Sequence, residues 1–137
     1  MIVPVAAAII FSEGKILIAR RAVHKHLAGL WEFPGGKIEK DESPEMCITR
    51  ELDEELKIRV TVKDFLTEHE HDFGTFKILL KAYICSFIAG DFTLTDHDAI
   101  KWADLDQLAD FNLAPADIPL VNAISNYVHI HPHLSIS

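Results

Sequence analysis

The order of apolar and polar positions divides this chain into extended runs and two helical stretches. Val3 to Phe11 is a nearly continuous apolar run, the pattern of a buried strand. Ser12-Glu13-Gly14-Lys15 interrupts it as a hairpin turn, and Ile16 to Arg20 reads as the return strand. Arg21 to Leu30 is polar and irregular, and Trp31 to Ile38 carries a Phe33-Pro34-Gly35-Gly36 loop. Ser43 followed by Pro44 signals a helix start. That helix should run to about Leu56, with Ile48, Leu52 and Leu56 turned into the core. Val60 to Val62 and Phe65 to His71 read as strands, with Asp72-Phe73-Gly74 as a turn. Thr75 to Phe87 is a long apolar strand closed by Ala89-Gly90-Asp91. Ile100 to Ala103 is short and extended, and Leu105 to Ala109 is a helical turn. Ile118 to Val128 places Leu120, Val121, Ile124 and Val128 at helical spacing. Residues 128–137 read as a loose tail. Strands around two helices predict a mixed α/β class in one domain over residues 1–137, with no repeat or linker.

Composition narrows this picture. A chain of 137 residues is the size of one domain with its own core. Its 49% hydrophobic content excludes a disordered chain. The formal net charge is −8 and no Lys/Arg run occurs, so DNA or RNA is not an expected partner. Free nucleotides carried as metal complexes remain compatible with an acidic protein. Met1 to Phe11 lacks the basic start and cleavage site of a signal peptide. No apolar run reaches the ~18 residues of a membrane span. Cys47 and Cys85 sit in apolar segments and read as buried thiols in a reducing, cytoplasmic setting. His129, His131 and His133 have the spacing of a metal tract but read as part of the tail; His24 and His26 read as surface residues of a mobile loop.

The chemistry concentrates between Gly36 and Ile58. Glu51, Glu54 and Glu55 fall at i, i+3 and i+4, so a helix of ~3.6 residues per turn puts three carboxylates on one face. Like charges at that spacing repel, and a hard divalent cation such as Mg²⁺ or Mn²⁺ would offset the repulsion. Gly35 and Gly36 just upstream allow close backbone approach to a ligand. Arg50 cannot lose its proton, so it suits a role of holding Glu51 or Glu42 by bidentate hydrogen bonds. Glu42 reads either as a charge favoured near a helix N-terminus or as a catalytic group.

This segment resembles the Nudix box, Gly-x5-Glu-x7-Arg-Glu-U-x-Glu-Glu-x-Gly-U with U aliphatic. Gly36, Glu42, Arg50, Glu51, Leu52, Glu54, Glu55 and Ile58 are all in register. Lys57 stands where the late glycine is usual; it bears on the helix end and removes no metal ligand. The resemblance implies an α/β/α sandwich with a mixed β-sheet. It also implies a divalent metal, Mg²⁺ or alternatively Mn²⁺, on Glu51, Glu54, Glu55 and the Gly36 carbonyl. Arg50 joins Glu51 and Glu54 among the catalytic residues. The general base is a box glutamate or an acid on a later loop, where Asp96 and Asp98 are the candidates; Asp96 lies six positions before Trp102, as in MutT-like relatives.

Outside the box, Ala19-Arg20-Arg21, Leu30 to Glu39 and Leu113 to Pro119 are similar to MutT-like proteins, especially the CTP pyrophosphohydrolase branch. By that resemblance Arg21 and Lys37 would meet the nucleotide, Phe33 would line the base pocket and Asp117 would read the base edge. Asp117 also reads as the N-cap of the helix that follows. The activity implied is metal-dependent hydrolysis of (d)NTPs, oxidised or modified ones included, to monophosphate and pyrophosphate. Hydrolysis of a nucleoside diphosphate sugar or dinucleoside polyphosphate, or non-catalytic nucleotide sensing, are the alternatives. The expected partner is a nucleoside triphosphate, without nucleic acid or membrane, on a monomer or homodimer.

Overall fold

A computed structural model describes residues 1–135. Seven strands and two α-helices follow one another along the chain: β1 Ile2–Ser12, β2 Lys15–Arg21, β3 Trp31–Glu32, β4 Gly35–Lys37, α1 Pro44–Leu56, β5 Ile58–Asp72, β6 Lys77–Gly90, β7 His97–Ala103 and α2 Ile118–Ile130. Two 3₁₀ turns, Leu105–Asp110 and Pro132–Ser135, flank α2.

The strands form one mixed sheet. Its main order is β3-β2-β1-β6-β5, with β4 also paired to β1 and β7 to β2. The long central pair, β1 with β6, is parallel from Ile2↔Lys77 to Phe11↔Ser86; every other strand pairing is antiparallel. Side chains alternate across a strand, and β1 sends each parity to a different layer. Ala7, Ile9 and Phe11 join Ile16, Ile18, Leu80, Ala82 and Ile84 under Leu120 and Ile124 of α2. Ala6, Ala8 and Ile10 join Leu17 and Cys85 under Cys47, Ile48, Leu52 and Leu56 of α1. The continuous apolar run in β1 is therefore the signature of a strand covered on both faces, and the result is the expected α/β/α sandwich.

Helix α1 forms as its sequence predicts. The Ser43 Oγ accepts the Met46 N–H at 3.0 Å, and Pro44 opens the first turn. Lys57 ends it in the left-handed region, φ 57° and ψ 42°, and its N–H donates to the Leu52 carbonyl. Gly90, at φ +144°, lies against the Ile58 backbone, where a Cβ would come within 2.6 Å of Cα.

Four local expectations change. Gly35 and Gly36 lie in a strand, β4, rather than in a loop, because Ala7↔Gly35 and Ala6↔Gly36 pair antiparallel. The two runs expected at 60–62 and 65–71 merge into one strand, β5, whose polar interruption is absorbed by bulges between Val62 and Asp64 and between Phe65 and Thr67. Strand β7 begins at His97, three residues before the apolar run, since pairing with β2 extends it. Where a tail was expected from 128, α2 continues to Ile130, and Leu134 of the following turn packs on the α2-side core. Its last residues, Ile136 and Ser137, lie outside the described part. No helix among the described residues is long and apolar enough to cross a membrane.

Candidate functional site

Strands β1 and β2 pair only at their hairpin end, at Phe11↔Ile16 and Ser12↔Lys15. Beyond it they part: β2 continues along β7 and β3, while β1 continues along β4 and β6. The segment Phe33-Pro34 crosses between β3 and β4, and a cavity of about 240 Å³ opens beside it. Arg21, Phe33, Gly36, Lys37 and Asp117 all line this cavity. The candidate nucleotide residues, 96 positions apart at the extremes, thus share one wall system. Sequence reasoning did not single out Glu32, nor Phe73 and Phe76 of the β5–β6 turn, which also line it. The two phenylalanines stack at 5.1 Å. Their signal was present only as two aromatic residues flanking a glycine turn. His26 is exposed, as its sequence predicts, and also borders the cavity, where its carbonyl accepts Arg21 Nε–H at 2.6 Å.

Asp117 is buried and stands at the position preceding α2, but its carboxyl makes no bond to the helix. Oδ2 instead accepts the Phe33 N–H at 3.0 Å, across 84 residues of sequence. The cap reading therefore fails: the side chain points back to the crossing segment. Burial, with the Glu32 charge adding to it, pushes the Asp117 carboxyl up to about 8. A shift in this direction favours the protonated form, which can donate as well as accept at the cavity wall.

Arg50 organises the acidic helix. Its Nε and one terminal nitrogen take both oxygens of Glu42, at 2.7 and 2.9 Å, a bidentate pair. The other terminal nitrogen donates to Glu51 at 3.0 Å and Glu54 at 3.3 Å, and Nη2 also reaches the Lys37 carbonyl at 3.1 Å. Arg50 thereby ties α1 to the end of β4. Glu42 accepts the Glu39 N–H as well, and the Arg50 guanidinium holds its carboxyl far down, at about 2. Both oxygens of Glu42 are engaged, which matches neither a free charge at a helix N-terminus nor a free base.

Gly36 connects helix and cavity. A Cβ there would lie 2.4 Å from the Glu51 carboxyl carbon and 2.5 and 2.7 Å from its oxygens. Only a residue without a side chain lets the strand backbone and this carboxylate meet. Gly35 meets protein in the same way, since its Cβ would fall 1.9 Å from the Ala6 carbonyl oxygen. These contacts explain the paired glycines more fully than approach to a ligand does.

The third box glutamate is the anomalous one. Glu55 Oε2 is buried without a hydrogen-bond partner. Burial, then Glu51 beside it and the charges of Glu32 and Asp96, raise its carboxyl well above the ordinary carboxylate range. Among the described residues no three acidic, histidine or cysteine side chains form a ready-made metal cage. Arg50 sits between Glu51 and Glu54 and offsets part of their repulsion. A hard cation nonetheless suits the donor set: an orphaned buried oxygen, a mutually repelling carboxylate pair and an adjacent glycine backbone.

Of the loop acids, Asp96 keeps only a 3.6 Å contact with Lys25, and its main chain accepts the Ala22 N–H at 3.0 Å. Asp98 accepts from Arg20 Nε–H at 2.7 Å. Near the C-terminus, His131 stacks on Tyr127 at 4.1 Å, and His133 stands edge-on to it at 6.1 Å.

A family model described as the NUDIX domain matches residues 5–123. The CTP pyrophosphohydrolase of Escherichia coli K12 is 41% identical over 121 residues, covering 88% of this chain and 90% of that protein. The 8-oxo-dGTP diphosphatase of Proteus vulgaris is 41% identical over 81 residues, covering 58% of this chain and 72% of that one. Among solved structures, the E. coli ORF135 protein superposes with a TM-score of 0.84 at 39% identity, over 96% of this chain and 94% of the other.

Proposed function

The chain belongs to the Nudix family, and from that premise we propose that it is a nucleoside triphosphate pyrophosphohydrolase yielding a monophosphate and pyrophosphate. One observation carries the reading: Gly36 lines the cavity and also touches the carboxylate of Glu51 on the acidic helix. A base held in the cavity would direct its phosphates toward that helix. The names of the relatives, a CTP pyrophosphohydrolase and 8-oxo-dGTP diphosphatases, support the same substrate class.

We assign Glu51, Glu54, Glu55 and the Gly36 carbonyl to a divalent cation, Mg²⁺ with Mn²⁺ as substitute. When bound, such a cation neutralises phosphate charge and activates water. Arg50 acts as the positioning group, its charge shared among Glu42, Glu51 and Glu54. Two carboxylates keep oxygens available to take a proton from the attacking water. Glu54 has a side chain 59% exposed and bonds Arg50 through one oxygen, and Asp96 is held only by the long Lys25 contact. Lys37 and Arg21 supply positive charge for the phosphates, and among the described residues Lys37 has no carboxylate within ion-pair distance. Asp117 and Phe33 face the base. The two free thiols suit the cytosol as the setting.

The test is a phosphate-release screen of common and damaged (d)NTPs with Mg²⁺ and added pyrophosphatase, followed by hydrolysis in ¹⁸O-labelled water. Monophosphate and pyrophosphate as primary products are expected. Orthophosphate plus diphosphate would reject the assignment. Preference for a nucleoside diphosphate sugar or a dinucleoside polyphosphate would move the enzyme to another Nudix branch, and binding without turnover would make it a sensor.

A further inference from the structure

His97 is among the few polar residues the fold buries, with a side chain only 1% exposed. It opens β7, where the register against β2 shifts by a bulge between Arg20 and Arg21. Across that bulge it pairs with Arg21, so one irregularity in the sheet places the histidine behind the arginine. Its Nε2 lies 2.8 Å from Glu32 Oε2, an acceptor, and is therefore the donor. Glu32 Oε1 in turn accepts from Arg21 Nη1 at 3.0 Å. The guanidinium is then completed by its Nε–H bond to the His26 carbonyl at 2.6 Å.

The three side chains form a row, and its members differ in what they face. Arg21 and Glu32 line the cavity, whereas His97 does not. Its Nδ1 is buried with no partner, so packing or hydrogen bonding at that end does not account for a polar ring here. An apolar residue would fill the same space without an orphaned nitrogen. What the imidazole adds is a single bond to Oε2 of Glu32, the oxygen that Arg21 does not take. That bond fixes the carboxylate plane, and the plane fixes which way the planar guanidinium fork is presented.

We propose that His97 is a positioning residue, which through Glu32 holds the Arg21 guanidinium in the orientation that receives the nucleotide. The proposal rests on the nucleotide reading of the cavity. It predicts a loss in substrate capture rather than in the hydrolytic step, because the acidic helix that carries the chemistry is held separately by Arg50.

The experiment compares His97→Leu, which fills the site without a donor, with His97→Gln, whose amide N–H can reach Glu32. Steady-state kinetics on the best nucleoside triphosphate of the wild type should show KM raised on the order of tenfold in His97→Leu, with kcat within about twofold. His97→Gln should recover most of that loss. In an Arg21→Ala background the His97→Leu effect should vanish, since the group it positions is gone. Nitrogen-15 NMR of the arginine side chains gives a readout that needs no substrate. The Arg21 Nε–H signal, identified by its loss in Arg21→Ala, should exchange with water at least tenfold faster in His97→Leu than in wild type or His97→Gln. A merely structural histidine would lower the melting temperature and leave both KM and that exchange unchanged, and this result would overturn the proposal. Additive losses in the double variant would overturn it too. Where the leucine variant does not fold, His97→Met, with its more adaptable side chain, takes its place. If the wild type turns over no nucleoside triphosphate, the function proposed above fails, while the NMR comparison still decides the role of His97.

Discussion

Asp117 illustrates how one residue is decided by its surroundings. Before a helix, an aspartate ordinarily caps; here the carboxyl spends Oδ2 on the Phe33 N–H and remains buried at the cavity wall. Two predictions follow from that placement. A buried polar pair discriminates because the wrong partner leaves a group unpaired. Asp117→Ala should therefore flatten base selectivity by roughly 1–3 kcal/mol in kcat/KM, and unchanged selectivity would remove Asp117 from recognition. The second concerns pH. With its folded value raised to about 8, the carboxyl keeps a proton that the unfolded chain releases near pH 4. Between those values the folded state binds more protons, so this group's contribution to stability is full below pH 4 and is lost as pH rises toward 8. The slope is at most about 1.4 kcal/mol per pH unit for one proton. Asp117→Asn lacks the titration, so melting scans from pH 5 to 8 should show the variant gaining on the wild type. Parallel curves would mean that Asp117 is ionised in the fold. Asp96→Asn separates the two candidates: Glu54→Gln should lower kcat by orders of magnitude in either case, because Glu54 is also assigned to the cation, whereas Asp96→Asn should do so only if Asp96 takes the proton. If neither variant slows turnover, both assignments are wrong.

At the scale of elements, helix α1 was the most legible part of the chain. Ser43-Pro44 start it, Cys47, Ile48, Leu52 and Leu56 bury one side, and the helix ends at Lys57. The last position is a local compromise, since a lysine at φ 57° occupies the left-handed region that glycine takes freely. Lys57→Gly should raise the unfolding free energy by about 0.5–1 kcal/mol, read from denaturant midpoints, with turnover retained. A destabilised variant would show that the lysine side chain contributes something its backbone strain conceals. Strand β4 was the least legible. Three residues with two glycines carry no strand pattern, and glycine is depleted in strands. They form one because the absence of side chains allows contact with the Ala6 carbonyl on one side and the Glu51 carboxyl on the other. Gly35→Ala should force β1 and β4 apart and cost more than about 2 kcal/mol, lowering the melting temperature and turnover together. The length of β5 was hidden for a related reason: bulges let polar residues interrupt the apolar alternation without ending the strand.

In the whole molecule, the sheet divides the labour. One face carries α1 with its carboxylates, the other carries α2, and the parting of β1 from β2 opens the cavity that Gly36 links to the acidic helix. If a divalent cation belongs on Glu51, Glu54 and Glu55, chelation should abolish turnover and Mg²⁺ should restore it. Saturating Mg²⁺ should also raise the melting temperature by mass action, about 2.7 kcal/mol at a hundredfold excess over Kd. Glu55→Gln should remove most of that shift; a full shift in the variant would place the cation elsewhere. The sequence by itself determined the class of fold, the register of the acidic helix and the family, because each depends on short-range spacing: helical periodicity, a cap, and carboxylates three and four residues apart. It also carried the separate identities of Arg21, Phe33, Lys37 and Asp117. Only the tertiary structure decided how they meet. The Phe33 N–H takes Asp117 away from its helix, Glu32 and His97 stand behind Arg21, and Arg50 closes on Glu42 as well as Glu51. The Phe33–Asp117 and Glu32–His97 contacts span 84 and 65 residues of sequence, set by which strands pair and where they part, and no local pattern of side chains encodes them.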